Sequence, residues 1–222
     1  MMRWLRFTQW RGAPVAKWRL AVVALLMSAC FWSSSGVGVS PAWAAPQTYV
    51  FDKDHTEIRF SWDHLGLSRQ SGRLQTVEGE IVFDEERPEN SSIDIRIPLS
   101  SISTGVAALD DVLLKGRDYL DVERYPMITF KSNSVVVTTA RTANVSGEVS
   151  FNGHTHPLTL SVVWNFSGEH PLAKINPVYS GVYASGFSAR TQLLRSEFGI
   201  ARSIPLVSDE IRVTIEAELH RR

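Results

Sequence analysis

The chain has 222 residues, 44% of them hydrophobic, with 23 Lys and Arg against 23 Asp and Glu and a single Cys. That makeup excludes a disordered, collagen-like or disulfide-framed chain. Residues 1–44 hold five basic residues and no acid, leaving 18 basic against 23 acidic beyond them, and an acidic body lacks the basic face of a nucleic-acid binder.

The first 44 residues read as a secretory signal peptide. Arg3, Arg6, Arg11, Lys17 and Arg19 precede the apolar run Leu20–Ala29, and Ala42-Trp43-Ala44 supplies a small-residue cleavage site. The expected location is periplasmic or secreted after cleavage at Ala44. A second reading is a membrane anchor, for which the core run falls short of the roughly 20 residues a span needs although Phe31–Val39 could extend it. A third makes Cys30 the acylated residue of a lipoprotein box, to which Met27 is a poor fit. Residues 45–222 fit a single domain without Cys, so their stability must come from core burial.

Along this body the hydrophobic period is two. Ile58, Phe60, Trp62 and His64 share one face, and a strand is expected at about 73–83. Ile93, Ile95 and Ile97 follow the turn signal Arg87-Pro88-Glu89-Asn90. Val106, Leu109, Val112 and Leu113 then switch to helical spacing, which predicts a short helix over 106–115, capped by Ser103 or Thr104 and stopped by Gly116. Strands are expected at 127–138 and 145–151, with Asn152-Gly153 as a hairpin turn. Leu158, Leu160, Val162, Trp164 and Phe166 form one row, a strand is expected at 182–193, and Ile211 to Leu219 form the last row. The pattern is that of an all-β domain: about eight antiparallel strands with one short helix near the barrel end, as a sandwich or a closed barrel.

The same body resembles the YceI-like family of secreted bacterial proteins. Asp52-x-x-His55, Phe60 and His64-Leu65-Gly66 come first, with Gly72 and Gly79 behind them. Ser101-Ile102-x-Thr104 and Asp118-Tyr119-Leu120-Asp121 lead into Tyr125-Pro126-x-Ile128-Thr129-Phe130-x-Ser132. Gly147, Phe151-x-Gly153-x-Thr155-x-Pro157, Gly186-Phe187 and Arg195-x-x-Phe198-Gly199 complete the set. Relatives often carry a His-Leu pair in the helix where this chain reads Val112-Leu113-Leu114. The resemblance implies a lipocalin-like closed antiparallel β-barrel that carries a polyisoprenoid, an isoprenoid quinone or a similar long apolar molecule. No further cofactor is implied.

Phe60, Trp62, His64, Leu113, Phe130, Phe151, Trp164 and Phe187 are therefore the candidate cavity lining, and His55, Asp121 and Arg195 the candidate head-group or rim residues. The same apolar side chains also suit a barrel filled by its own core, and periodicity does not separate the two. An enzyme acting on the bound lipid or quinone would have to draw on Asp52, His55 and His64, beside which no nucleophile is evident. His154-x-His156 has metal-like spacing but sits in an expected turn without a third ligand, so no metal site is assigned. Transient membrane contact and a homodimer are compatible with a lipid carrier.

Overall fold

A computed structural model describes residues 45–222. The expected leader, Ala44 and Cys30 lie outside the described residues. Among the described residues eleven strands occur in chain order: β1 (Gln47–Phe51), β2 (Glu57–His64), β3 (Ser68–Leu74), β4 (Glu78–Phe83), β5 (Ser92–Pro98), β6 (Ile102–Ser103), β7 (Met127–Thr139), β8 (Thr142–Phe151), β9 (His154–Glu169), β10 (Tyr183–Leu194) and β11 (Glu210–Arg221). The helix α1 spans Ala107–Lys115.

The strands pair in the order β1-β4-β5-β7-β8-β9-β10-β11, and β1 pairs back onto β11. The ring is thus an eight-stranded antiparallel barrel. β2, β3 and β6 are the bent continuations of β1, β4 and β5: β2 pairs with β11 and β3 beyond the point where β1 pairs with β11 and β4. The expected strand at 73–83 is accordingly two strands, broken at Gln75–Val77, where Val77 turns into the core.

The period-two rows supply the interior. Ile58, Ile95, Ile97, Phe130, Val145, Val149, Phe151 and Leu160 are buried together, and Phe198 and Ile200 join them from the segment after β10. Glycines make room where rings cross the wall. Phe60 pairs with Gly72 across β2 and β3, and a Cβ at Gly72 would lie 2.5 Å from the Phe60 ring. At Gly147 a Cβ would lie 2.3 Å from the Lys131 carbonyl oxygen and 2.8 Å from the Phe130 ring.

Two expectations need correction. The N-cap of α1 is Val106, without a side-chain cap, and Asp110 reaches back to accept from the Thr104 amide and hydroxyl, both at 2.7 Å. In β9 the inward row ends at Trp164. Phe187 pairs with Trp164 while Gly186 pairs with Phe166, so Asn165 is an inserted residue. A bulge of this kind reverses the facing of the residues beyond it: Phe166 is exposed, and Ser167 points inward to meet Ser185.

Candidate functional site

The barrel is not filled by its own side chains. A cavity of about 600 Å³ occupies the half enclosed by β2, β3, the 195–207 segment and α1, within the range of roughly 300–1,000 Å³ typical of small-molecule sites. Its lining is overwhelmingly apolar, drawn from nearly every strand of the ring and from Leu109 and Leu113 of α1. A second cavity of about 130 Å³ lies in the other half, against Phe83, Trp164 and Phe187. Ile95, Leu160 and Ile215 border both, so these three side chains form the partition between them.

Of the expected lining, Phe60, Trp62, His64, Leu113, Phe130 and Phe151 border the larger cavity. Trp164 and Phe187 border the smaller one, where both rings stand edge-on to Phe83, 5.2 and 5.1 Å away. Beneath it the barrel base is closed by hydroxyls converging on Glu85. Tyr49, Ser167 and Tyr183 donate to its carboxylate at 3.0, 2.7 and 3.2 Å. Burial, then the bond to Glu85, push the Tyr49 hydroxyl up to a pKa of about 12.

Polar lining gathers at the opposite end. His64 closes β2 and bridges to Val207, and Gln70 lies across from Trp62 on β3. Arg202 and Ser203 come from the 201–208 turn. Arg202 also pairs with Asp118 at 2.8 Å, tying that turn to the segment after α1. These groups suit a ligand that is apolar along its length and polar at one end.

Arg195 borders the cavity but is largely committed to the fold. Its guanidinium donates to the carbonyls of Ser208, Ile200, Arg202 and Val207 at 2.7–2.9 Å. Four of five N–H donors are thus spent on the turn that carries Arg202 and Ser203. Burial lowers its pKa, against the raising effect of nearby Asp209.

Two expected rim residues are placed elsewhere. His55 is half exposed and borders neither cavity, because the bend between β1 and β2 carries it outside, onto Asp52. Asp121 also borders neither cavity; it holds the turn after α1 in a left-handed conformation, its carbonyl accepting from the Arg124 and Tyr125 amides. The pair His154 and His156 is split as well, since His156 Nε2 lies 2.9 Å from the Glu197 carbonyl. Arg202 and Ser203 carry no signal in the sequence, because the 201–208 turn has no period that could mark which residues face inward, and Gln70 carries none because β3 is polar on both faces from Ser68 to Ser71.

The YceI-like domain family profile matches residues 49–219. Among relatives, the UPF0312 protein of Azotobacter vinelandii is 29% identical over 194 residues, covering 86% of this chain and 95% of that protein. The UPF0312 protein of Pseudomonas savastanoi is 32% identical over 164 residues, covering 73% and 81%. Among solved structures, Burkholderia cenocepacia BcnA superposes with a TM-score of 0.66 at 18% identity, over 76% of this chain and 99% of that one. A polyisoprenoid-binding domain from Saccharophagus degradans gives 0.54 at 12% identity, over 79% and 99%. At these identities the structural likeness carries the barrel fold.

Proposed function

The chain belongs to the YceI-like family, and from that premise we propose that it binds a long apolar lipid of the isoprenoid type inside its barrel, as a carrier and not as an enzyme. The observation that carries this reading is the 600 Å³ apolar cavity with polar groups at one end. Burying a tail there releases roughly 0.8 kcal/mol per CH₂, so affinity grows with length and needs few polar contacts. His64, Gln70, Arg202 and Ser203 are suited to a head group such as a hydroxyl, quinone oxygen or phosphate. The polyisoprenoid-binding domain among the structural neighbours is consistent with this ligand class.

The cavity end also suggests how cargo enters. Leu67 and Leu206 are 82% and 65% exposed on two turns joined by the hydrogen bond from the Leu65 amide to the Leu206 carbonyl. Exposed apolar side chains on the turns that flank the polar end of the cavity suit brief contact with a bilayer surface. Together with the leader expected over residues 1–44, the reading is of an exported protein collecting its cargo at a membrane of the bacterial envelope.

The test is native mass spectrometry of the protein purified from a bacterial envelope, then again after incubation with a polyprenol and with ubiquinone. The expected result is one lipid per chain, bound more weakly in Leu158→Trp, whose indole projects into the larger cavity, while the far-ultraviolet circular dichroism of that variant stays unchanged. A wild-type chain that stays empty with both lipids would overturn the reading.

A further inference from the structure

A second constellation lies outside the barrel, on the seam where β1 meets β11. Glu218 and His220 alternate on the outward face of β11, two residues apart. The Asp52 amide donates to the Glu218 carbonyl at 2.9 Å, which sets Asp52 across from Glu218. The chain then folds back, with the Asp54 amide donating to Asp52 Oδ1 at 2.9 Å. That bond occupies one carboxylate oxygen and leaves the other, Oδ2, between two imidazoles. His55 Nδ1 is 3.0 Å from Oδ2 and His220 Nε2 is 3.6 Å from it.

We propose that Asp52, His55, Glu218 and His220 form a site for one divalent transition-metal ion of the zinc class. One ligand atom from each of Asp52, His55 and Glu218 lies within 4.8 Å of the other two. In a tetrahedral site with bonds of about 2.0–2.1 Å, neighbouring donors stand roughly 3.3 Å apart. The two separations at Asp52 Oδ2 bracket that value, so this oxygen can share an ion with either imidazole, and the Glu218 carboxylate and the His220 ring rotate toward it to complete the set. His220 supplies an independent sign: its Nε2 is buried, accepts and donates no hydrogen bond, and faces the Asp52 carboxylate. A stack of His170 on Tyr179 stands edge-on to the His220 ring, 5.7 and 6.3 Å away. Two nitrogens and two carboxylates suit a first-row metal better than Mg²⁺ or Ca²⁺, which take oxygen ligands.

The position gives the ion a task. It joins the bend after β1 to β11, the pair of strands that closes the barrel, in a domain that has no Cys to cross-link. An ion bound to the folded state alone raises its stability by mass action.

The experiment is a Zn²⁺ titration of the whole protein near pH 7.5, read by calorimetry and by thermal unfolding, with Mg²⁺ as the control ion. The expected result is one Zn²⁺ per chain and a raised melting temperature, with affinity at least tenfold lower in His55→Ala and in His220→Ala. His55 is half exposed, so its removal leaves folding intact and keeps the test decisive if His220→Ala fails to fold. The variant His154→Ala/His156→Ala removes the other histidine pair and is expected to bind like the wild type. Absence of binding at millimolar Zn²⁺, or binding that persists in His55→Ala and disappears with His154 and His156, would overturn the proposal.

Discussion

The Tyr49 hydroxyl donates to Glu85 at 3.0 Å at the base of the barrel, where the tyrosine is 0% exposed. Below about pH 10 the folded and unfolded states both keep the phenol proton; between there and about pH 12 only the unfolded chain releases it. Stability conferred by the neutral phenol is therefore intact below pH 10 and falls as pH rises toward 12. Denaturant titrations at pH 8 and pH 11.5 should show Tyr49→Phe losing less stability than the wild type over that interval, by on the order of 2 kcal/mol. At pH 8 the variant should itself be weaker by about 1–2 kcal/mol, since Glu85 loses a donor.

Two glycines separate stability from binding. Gly147→Ala drives a methyl against the Lys131 carbonyl in the neighbouring strand, and backbone cannot swing aside. It should cost the upper end of the roughly 1–3 kcal/mol of overpacking. Gly72→Ala meets only the far end of the Phe60 ring, which can tilt into the cavity. Its stability loss should be about 1 kcal/mol, at the lower end of the same range, with a larger proportional loss of lipid affinity. Equal effects of the two substitutions on unfolding would refute this ordering.

Arg195→Lys tests whether the guanidinium holds the 195–208 turn. A single ammonium cannot reach four carbonyls fanned around a planar group. Urea denaturation should show a loss of about 2–3 kcal/mol, since the buried Ile200 carbonyl and three partly buried ones share fewer donors. Limited proteolysis should cut first within residues 200–208.

The partition between the cavities can be removed. Leu160 is buried and touches both, so Leu160→Ala should cost about 2–5 kcal/mol in stability. It should also join the two spaces. Competition between a long and a short polyprenol should then shift toward the longer one relative to the wild type; an unchanged preference would mean that the tail never reaches the partition.

Most of the barrel is legible from alternation, because one buried face repeats at period two whatever the strand order. Trp62 and Phe130 belong inside on that ground, and they are inside. Alternation says nothing about an inserted residue, so it assigns Phe166 to the interior although Asn165 turns it out. Nor does it register that the space between rows is divided. It groups Trp164 and Phe187 with Phe60, yet they enclose a different cavity. His55 reads as a rim residue because it begins a strand; the bend between β1 and β2, a three-dimensional property, faces it outward.

The ring's neighbours are close in sequence at most joints, but its closing joint pairs Val50 with His220. Until β11 has been synthesised, β1 and β10 each lack a partner on one side, and the cylinder is an open sheet. Such edges recruit other chains, and a contact spanning nearly the whole domain forms slowly. A ribosome that stops short of residue 210 thus releases a sheet with two sticky margins, which makes the last strand the point at which a nascent chain passes from hazard to safety.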